Sequence, residues 1–66
     1  MTNGSVVVHR ICGFIGICEI SEKGVSIRYK NMSGRFGRTL NEPTHVVAKY
    51  WRLATDKEVR RYFDAD

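Results

Sequence analysis

The sequence predicts a mainly β fold, a small barrel of four to five antiparallel strands followed by a short C-terminal α-helix. Three features point to it: β-branched and alternating segments in the first 40 residues, glycine-marked turns between them, and one capped amphipathic segment at the end. At 66 residues the chain makes a single domain, and at that size only about 60% of the extended surface is buried on folding. Closing a sheet into a barrel removes edge strands that would otherwise pair with other chains.

The elements follow in order. Residues 5–11 open with Val6, Val7 and Val8, a β-branched run that favours a first strand. Residues 13–20 form a second strand with a curved start, because Gly13 and Gly16 suit a bend or a close backbone approach. Ser21-Glu22-Lys23-Gly24 is a hairpin turn. Val25, Ile27 and Tyr29 then alternate with Ser26, Arg28 and Lys30, which predicts a third strand with the first set in the core and the second in water. Asn31-Met32-Ser33-Gly34 is a second turn, and residues 35–40 make a short fourth strand weakened by Gly37. After a loop at Asn41-Glu42-Pro43-Thr44, residues 45–53 are expected to be extended, with an ambiguous facing: Val46, Ala48 and Tyr50 form one apolar row, and Val47, Trp51 and Leu53 the other.

The ending carries its own start signal. Thr55-Asp56-Lys57-Glu58 fits a capping box, with Ala54 and Val59 at the positions of a hydrophobic staple. A helix is predicted over about residues 56–63, with Val59, Tyr62 and Phe63 on the face that docks and Lys57, Arg60 and Arg61 elsewhere. Roughly two turns of helix need tertiary packing to persist.

This order of features, a glycine-marked bent hairpin over residues 13–30, then a loop, then a strand, resembles small SH3-like domains of the Tudor and KOW kind. An SH3-like barrel is the first expectation and an OB-like barrel the second. Residues 50–59, from Tyr50-Trp51-Arg52 through Ala54-Thr55 to Glu58-Val59, look like the ending of many small bacteriophage-encoded proteins. That likeness implies a phage source and a host-cell setting, and it transfers no site residues.

Composition narrows the function. Eleven Lys and Arg against seven Asp and Glu give a formal charge of +4, so the chain is basic without being a polycation. The apolar stretch from Val6 to Ile20 is interrupted by His9, Arg10 and Glu19, which excludes a membrane span. Met1-Thr2-Asn3-Gly4 lacks a secretory pattern, so a cytoplasmic location is expected, in the host cytoplasm if the chain is phage-encoded. Cys12 and Cys18 are then expected to be reduced and to act as small buried hydrophobes. On one extended strand they would stand about 20 Å apart, beyond disulfide reach. Together with His9 and His45 they match no standard zinc spacing. No catalytic triad, HExxH, P-loop or GxGxxG pattern occurs, and no enzyme activity, metal or cofactor is expected.

Positive charge in the middle of the chain stands out. Between Lys23 and Asn41 lie Lys23, Arg28, Lys30, Arg35 and Arg38 with no acid, interleaved with Tyr29 and Phe36. A basic hairpin and loop of this kind follows a phosphate backbone while a ring stacks on a base, which points to DNA or RNA binding through Arg28, Lys30, Arg35, Phe36 and Arg38. The bland reading of the same cations is a solvated strand face, and that of Phe36 is a plug for the barrel core. The alternative function is a phage-type protein that binds and modulates a host protein through an aromatic surface, with Tyr50, Trp51 and Arg52 as anchors, joined by Tyr62 and Phe63. Against it, Trp51 is the ring best suited to close a small core. A homodimer is a third expectation, since a small domain with an open sheet edge gains core by pairing.

Overall fold

The β-branched run forms β1 (Val6–His9), and the glycine-marked segment forms β2 (Ile15–Ser21) in the computed structural model, which describes residues 2–31 and 33–64. They are followed by β3 (Gly24–Lys30), β4 (Phe36–Arg38), α1 (Thr44–Tyr50), β5 (Trp51–Leu53) and α2 (Asp56–Asp64). The five strands make one antiparallel sheet in the order β4-β3-β2-β1-β5, so the fold is mainly β as predicted. The last strand returns to lie beside the first, which leaves β4 and β5 at opposite edges.

Strand alternation divides the sheet into two faces. Val7, Cys18, Val25 and Ile27 point to the inner face and form the core with Val47 and Trp51, while Phe14 and Tyr29 pack against its margin. Gly16 makes the β2–β3 pairing tight: a Cβ there would lie 2.8 Å from the Arg28 carbonyl oxygen and 2.9 Å from the Tyr29 Cα. Burial of the Cys18 thiol raises its pKa above the ordinary thiol value, which keeps it protonated and inert. Cys12 does not share that environment. It lies in the turn between β1 and β2 and is exposed, so the expected pair of buried cysteines is corrected to one.

Residues 45–53 depart from the extended run predicted for them. A seven-residue helix, α1, comes first, and only Trp51–Leu53 is strand. Pro43 sits at its N-cap with φ −60° and accepts from the amides of Val46 and Val47 at 3.0 and 3.1 Å. Seven residues span roughly 10 Å as helix and about 23 Å as strand. The helix therefore takes up the chain between an anchored Glu42, bridged to Val25 on β3, and the start of β5 beside β1. The two apolar rows that confuse a strand reading fit helical spacing: Val47 and Trp51, four apart, are both buried, and Trp51 is 6% exposed. Tertiary placement overrides the β propensity of Val46 and Val47.

The predicted C-terminal helix forms with its capping box intact. The Thr55 amide donates to Glu58 Oε1 at 2.9 Å, and the Glu58 amide donates to Thr55 Oγ1 at 3.2 Å. The likeness to phage proteins thus falls on residues that this cap and β5 explain by stability. Arg52, which faces outward because it pairs with Val8, donates from its two terminal nitrogens to the two Glu58 oxygens at 2.8 Å each. That bidentate pair places α2 over the outer face, the side where Val8 is buried. Docking is partial: Val59 and Tyr62 are half-buried, but Phe63, expected on the docking face, is 65% exposed.

Candidate nucleic-acid interface

The basic residues of the central hairpin are brought together by strand register. Arg28 on β3 lies directly opposite Arg38 on β4, and Lys30 lies opposite Phe36. On the other side of β3, Arg28 pairs with Ile17 and Lys30 with Ile15 of β2. All six side chains therefore share the outer face. Arg28, Lys30, Phe36 and Arg38 are exposed, and the Lys30 Nζ stands 6.0 Å from the centroid of the Phe36 ring.

Phe36 is corrected from the expected core plug to a surface ring, 66% exposed. The reason lies one residue on. Tyr29 occupies the inner-face position beside β4, and its ring crosses Gly37, where an added Cβ would lie 2.7 Å from the ring. The space a plug would fill is taken, and alternation turns Phe36 outward. Ser26 is also corrected: expected in water, it is 6% exposed, since its small side chain lies opposite the longer Glu19 and next along the outer face to Arg28.

The β3–β4 turn is built on Asn31. Its Oδ1 accepts from the amides of Ser33 and Arg35 at 3.0 Å each and from the Ser33 hydroxyl at 2.8 Å. Its amide donates to the Arg35 carbonyl at 2.9 Å, and the Gly34 amide donates to the Asn31 carbonyl at 3.0 Å. An Asx-type turn with this many bonds fixes the backbone on which Arg35 and Phe36 are carried. Met32, at the centre of the predicted turn, lies outside the described residues. Arg35 is exposed in the turn and has no strand partner, so it flanks the patch. Lys23 sits at the other hairpin tip, about 23 Å along β3 from Lys30, and is not part of it.

Two contributions come from elsewhere in the chain. Glu19 on β2 approaches Arg38 at 3.0 Å, so the acid-free stretch of sequence acquires one carboxylate in space. From α2, Arg61 and Tyr62 line a groove of about 370 Å³ together with Lys30, Asn31 and Ile15. Arg61 adds a cation and Tyr62 an aromatic ring to the side of the patch opposite β4. The sequence held a signal for this: Arg60-Arg61-Tyr62 repeats the cation–aromatic interleaving of the hairpin, and an Arg52–Glu58 pair tells which face the helix covers.

The residues of the alternative aromatic surface are dispersed. Trp51 belongs to the core, which corrects its reading as an exposed anchor, and Arg52 faces the opposite side, held by Glu58. Only Tyr50, 49% exposed, is a surface ring of the three. The hydrogen bonds from Arg52, and after them one from the Thr55 amide, lower the Glu58 carboxyl to about 2. Among the described residues no group of three or more His, Cys, Asp or Glu is placed to hold a metal ion. No described helix is long and apolar enough to cross a membrane. Comparison with protein-family models, with curated proteins and with solved structures finds no match.

Proposed function

We propose that this chain is a non-enzymatic binding module for single-stranded nucleic acid, DNA or RNA, and that the outer face of β3 and β4 is its surface. The observation that carries the reading is the cross-strand register, which sets Arg28 beside Arg38 and Lys30 beside an exposed Phe36. Like charges directly opposite one another on a sheet cost stability. A polyanion laid across them reverses the sign of that interaction and releases counterions as it binds. Phe36 is an exposed ring opposite Lys30, and Tyr62 lines the groove on the other side of it; stacking on such rings requires a base that is not already inside a duplex. Single strands are therefore the favoured form.

Fluorescence anisotropy with labelled single-stranded DNA, single-stranded RNA and duplex DNA at two salt concentrations tests this reading. Single strands of either sugar should bind more tightly than duplex, and affinity should fall steeply with salt. Equal binding of duplex and single strands would remove the stacking role, and binding indifferent to salt would remove the phosphate role.

A further inference from the structure

The inner face carries a feature that the basic surface does not use. Between the sheet and α1 lies a pocket of about 350 Å³, within the range of small-molecule sites, roughly 300–1,000 Å³. Phe14, Tyr29, Tyr50 and Trp51 line it. The Phe14 and Tyr29 rings are near-parallel, at 11° with centroids 5.6 Å apart, and Tyr29 tilts 40° to Trp51 at 6.0 Å. Rings that only closed a core would leave no room beside them. Here the half-buried Phe14 and Tyr29 and the exposed Tyr50 border open space, with Trp51 behind them in the core.

Two polar side chains of this pocket, His9 and Thr39, are held in place by hydrogen bonds. His9 Nδ1 accepts from the amides of Ile11 and Cys12 at 3.2 and 3.1 Å. A nitrogen that accepts two amide protons carries none, so the ring's proton sits on Nε2 and His9 offers a donor. Its ring is fixed edge-on to Trp51 at 4.9 Å and parallel to Tyr50 within 18°. Thr39 Oγ1 accepts from the Ile27 amide at 2.8 Å, which leaves its hydroxyl proton to give. Glu42 is the one Asp, Glu, Lys or Arg among the described lining residues, and its backbone is tied to Val25 by two hydrogen bonds of 2.9 Å.

We infer that this pocket takes one nucleobase from the bound strand, and that it prefers guanine. Aromatic walls suit a flat heterocycle. A lining with one carboxylate and, among the described residues, no Lys or Arg keeps phosphate out and favours a base with two adjacent N–H donors, which guanine presents at its ring N1 and its exocyclic amine. The guanine carbonyl then accepts from His9 or Thr39. Uracil has a single ring N–H flanked by two carbonyls that repel the carboxylate. The route is short, because β4 is a three-residue edge strand: Arg38 stands on its outer face, and Thr39, the next residue, lines the pocket. A strand following Arg28 and Arg38 turns a base over this edge.

The inference rests on the nucleic-acid reading, but free nucleosides, which carry no phosphate, test the pocket alone. The intact protein is titrated with guanosine, uridine and tetramethylammonium while the Trp51 indole N–H and the His9 and Glu42 amides are followed by NMR. Guanosine should give saturable shifts at these three residues, with uridine weaker by about tenfold or more, and Glu42→Gln should lose about the same factor. The Glu42→Gln unfolding midpoint, measured alongside, should match the parent, since Glu42 is exposed and its backbone bonds remain. Equal response to guanosine and uridine, saturation by tetramethylammonium alone, or no saturable response would each overturn the base pocket. None of these outcomes bears on salt-dependent binding of polymers, which stands or falls with the outer face.

Discussion

The two faces of one sheet follow different rules. On the inner face Val7, Cys18, Val25 and Ile27 are each at most 2% exposed, and every one touches the same core as Val47 and Trp51. On the outer face, one residue along the same strand, Arg28 stands opposite Arg38 and Phe36 lies open to water. Burial explains the first set fully, since apolar area removed from water stabilises the fold by roughly 25 cal/mol per Å². Folding gives no comparable return for the second. Glu19 offsets Arg38, but Arg28, Lys30 and Arg61 have no acidic partner among the salt bridges of the described residues. The contrast separates residues that hold the fold from residues that fit a ligand of opposite charge.

Single substitutions on each face separate the two roles. Ile27→Ala opens a cavity in the fully buried inner face and should cost about 2–5 kcal/mol, read as a fall in the denaturant midpoint. A loss well under 1 kcal/mol would mean that the core is not organised around Ile27. Phe36→Ala should leave that midpoint unchanged, because the ring is in water, yet weaken single-strand binding by about 1–3 kcal/mol. If it destabilises the fold instead, the ring is structural. Thr55→Ala removes the α2 cap and should cost about 1 kcal/mol in thermal unfolding.

The Arg52–Glu58 pair gives a smaller, pH-dependent effect. Glu58 has a folded pKa of about 2 against an ordinary 4.5, so its contribution is present above about 4.5 and is lost as pH falls from there toward 2. Both side chains are partly exposed, so solvent screening keeps the contribution small. Unfolding midpoints of the parent and Glu58→Gln should therefore differ at neutral pH and converge in acid; a constant difference would rule the ion pair out as its source. Smallest of all, Arg28→Ala should raise the unfolding midpoint slightly, by a few tenths of a kcal/mol, through relief of Arg38.

The sequence made one kind of structure legible and hid another. Local signals survive folding: the Ile27–Lys30 alternation, the Gly34-to-Asn31 backbone bond of the second turn and the Thr55–Glu58 box all form where their chemistry places them. Residues 44–50 were hidden because their helix is set by the distance between β4 and β5, a property of the whole sheet that Val46 and Val47 do not encode locally. The candidate site was half legible for the same reason. Arg28, Lys30, Phe36 and Arg38 are close in sequence and meet through a single hairpin, whereas Glu19, Arg61 and Tyr62 arrive from other elements once the sheet and α2 are placed.

The most direct test of the outer face as a working surface is the salt dependence of single-strand binding for the Arg28→Ala, Arg38→Ala double variant beside the parent, with unfolding midpoints measured on both. The account predicts that the fold persists, with the loss of the Arg38–Glu19 pair offsetting the relief of Arg28, while binding weakens to all sequences alike and the log–log salt slope becomes shallower by about one for each phosphate no longer neutralised. An unchanged slope and affinity with the fold intact would contradict it and return these arginines to the role of a solvated strand face.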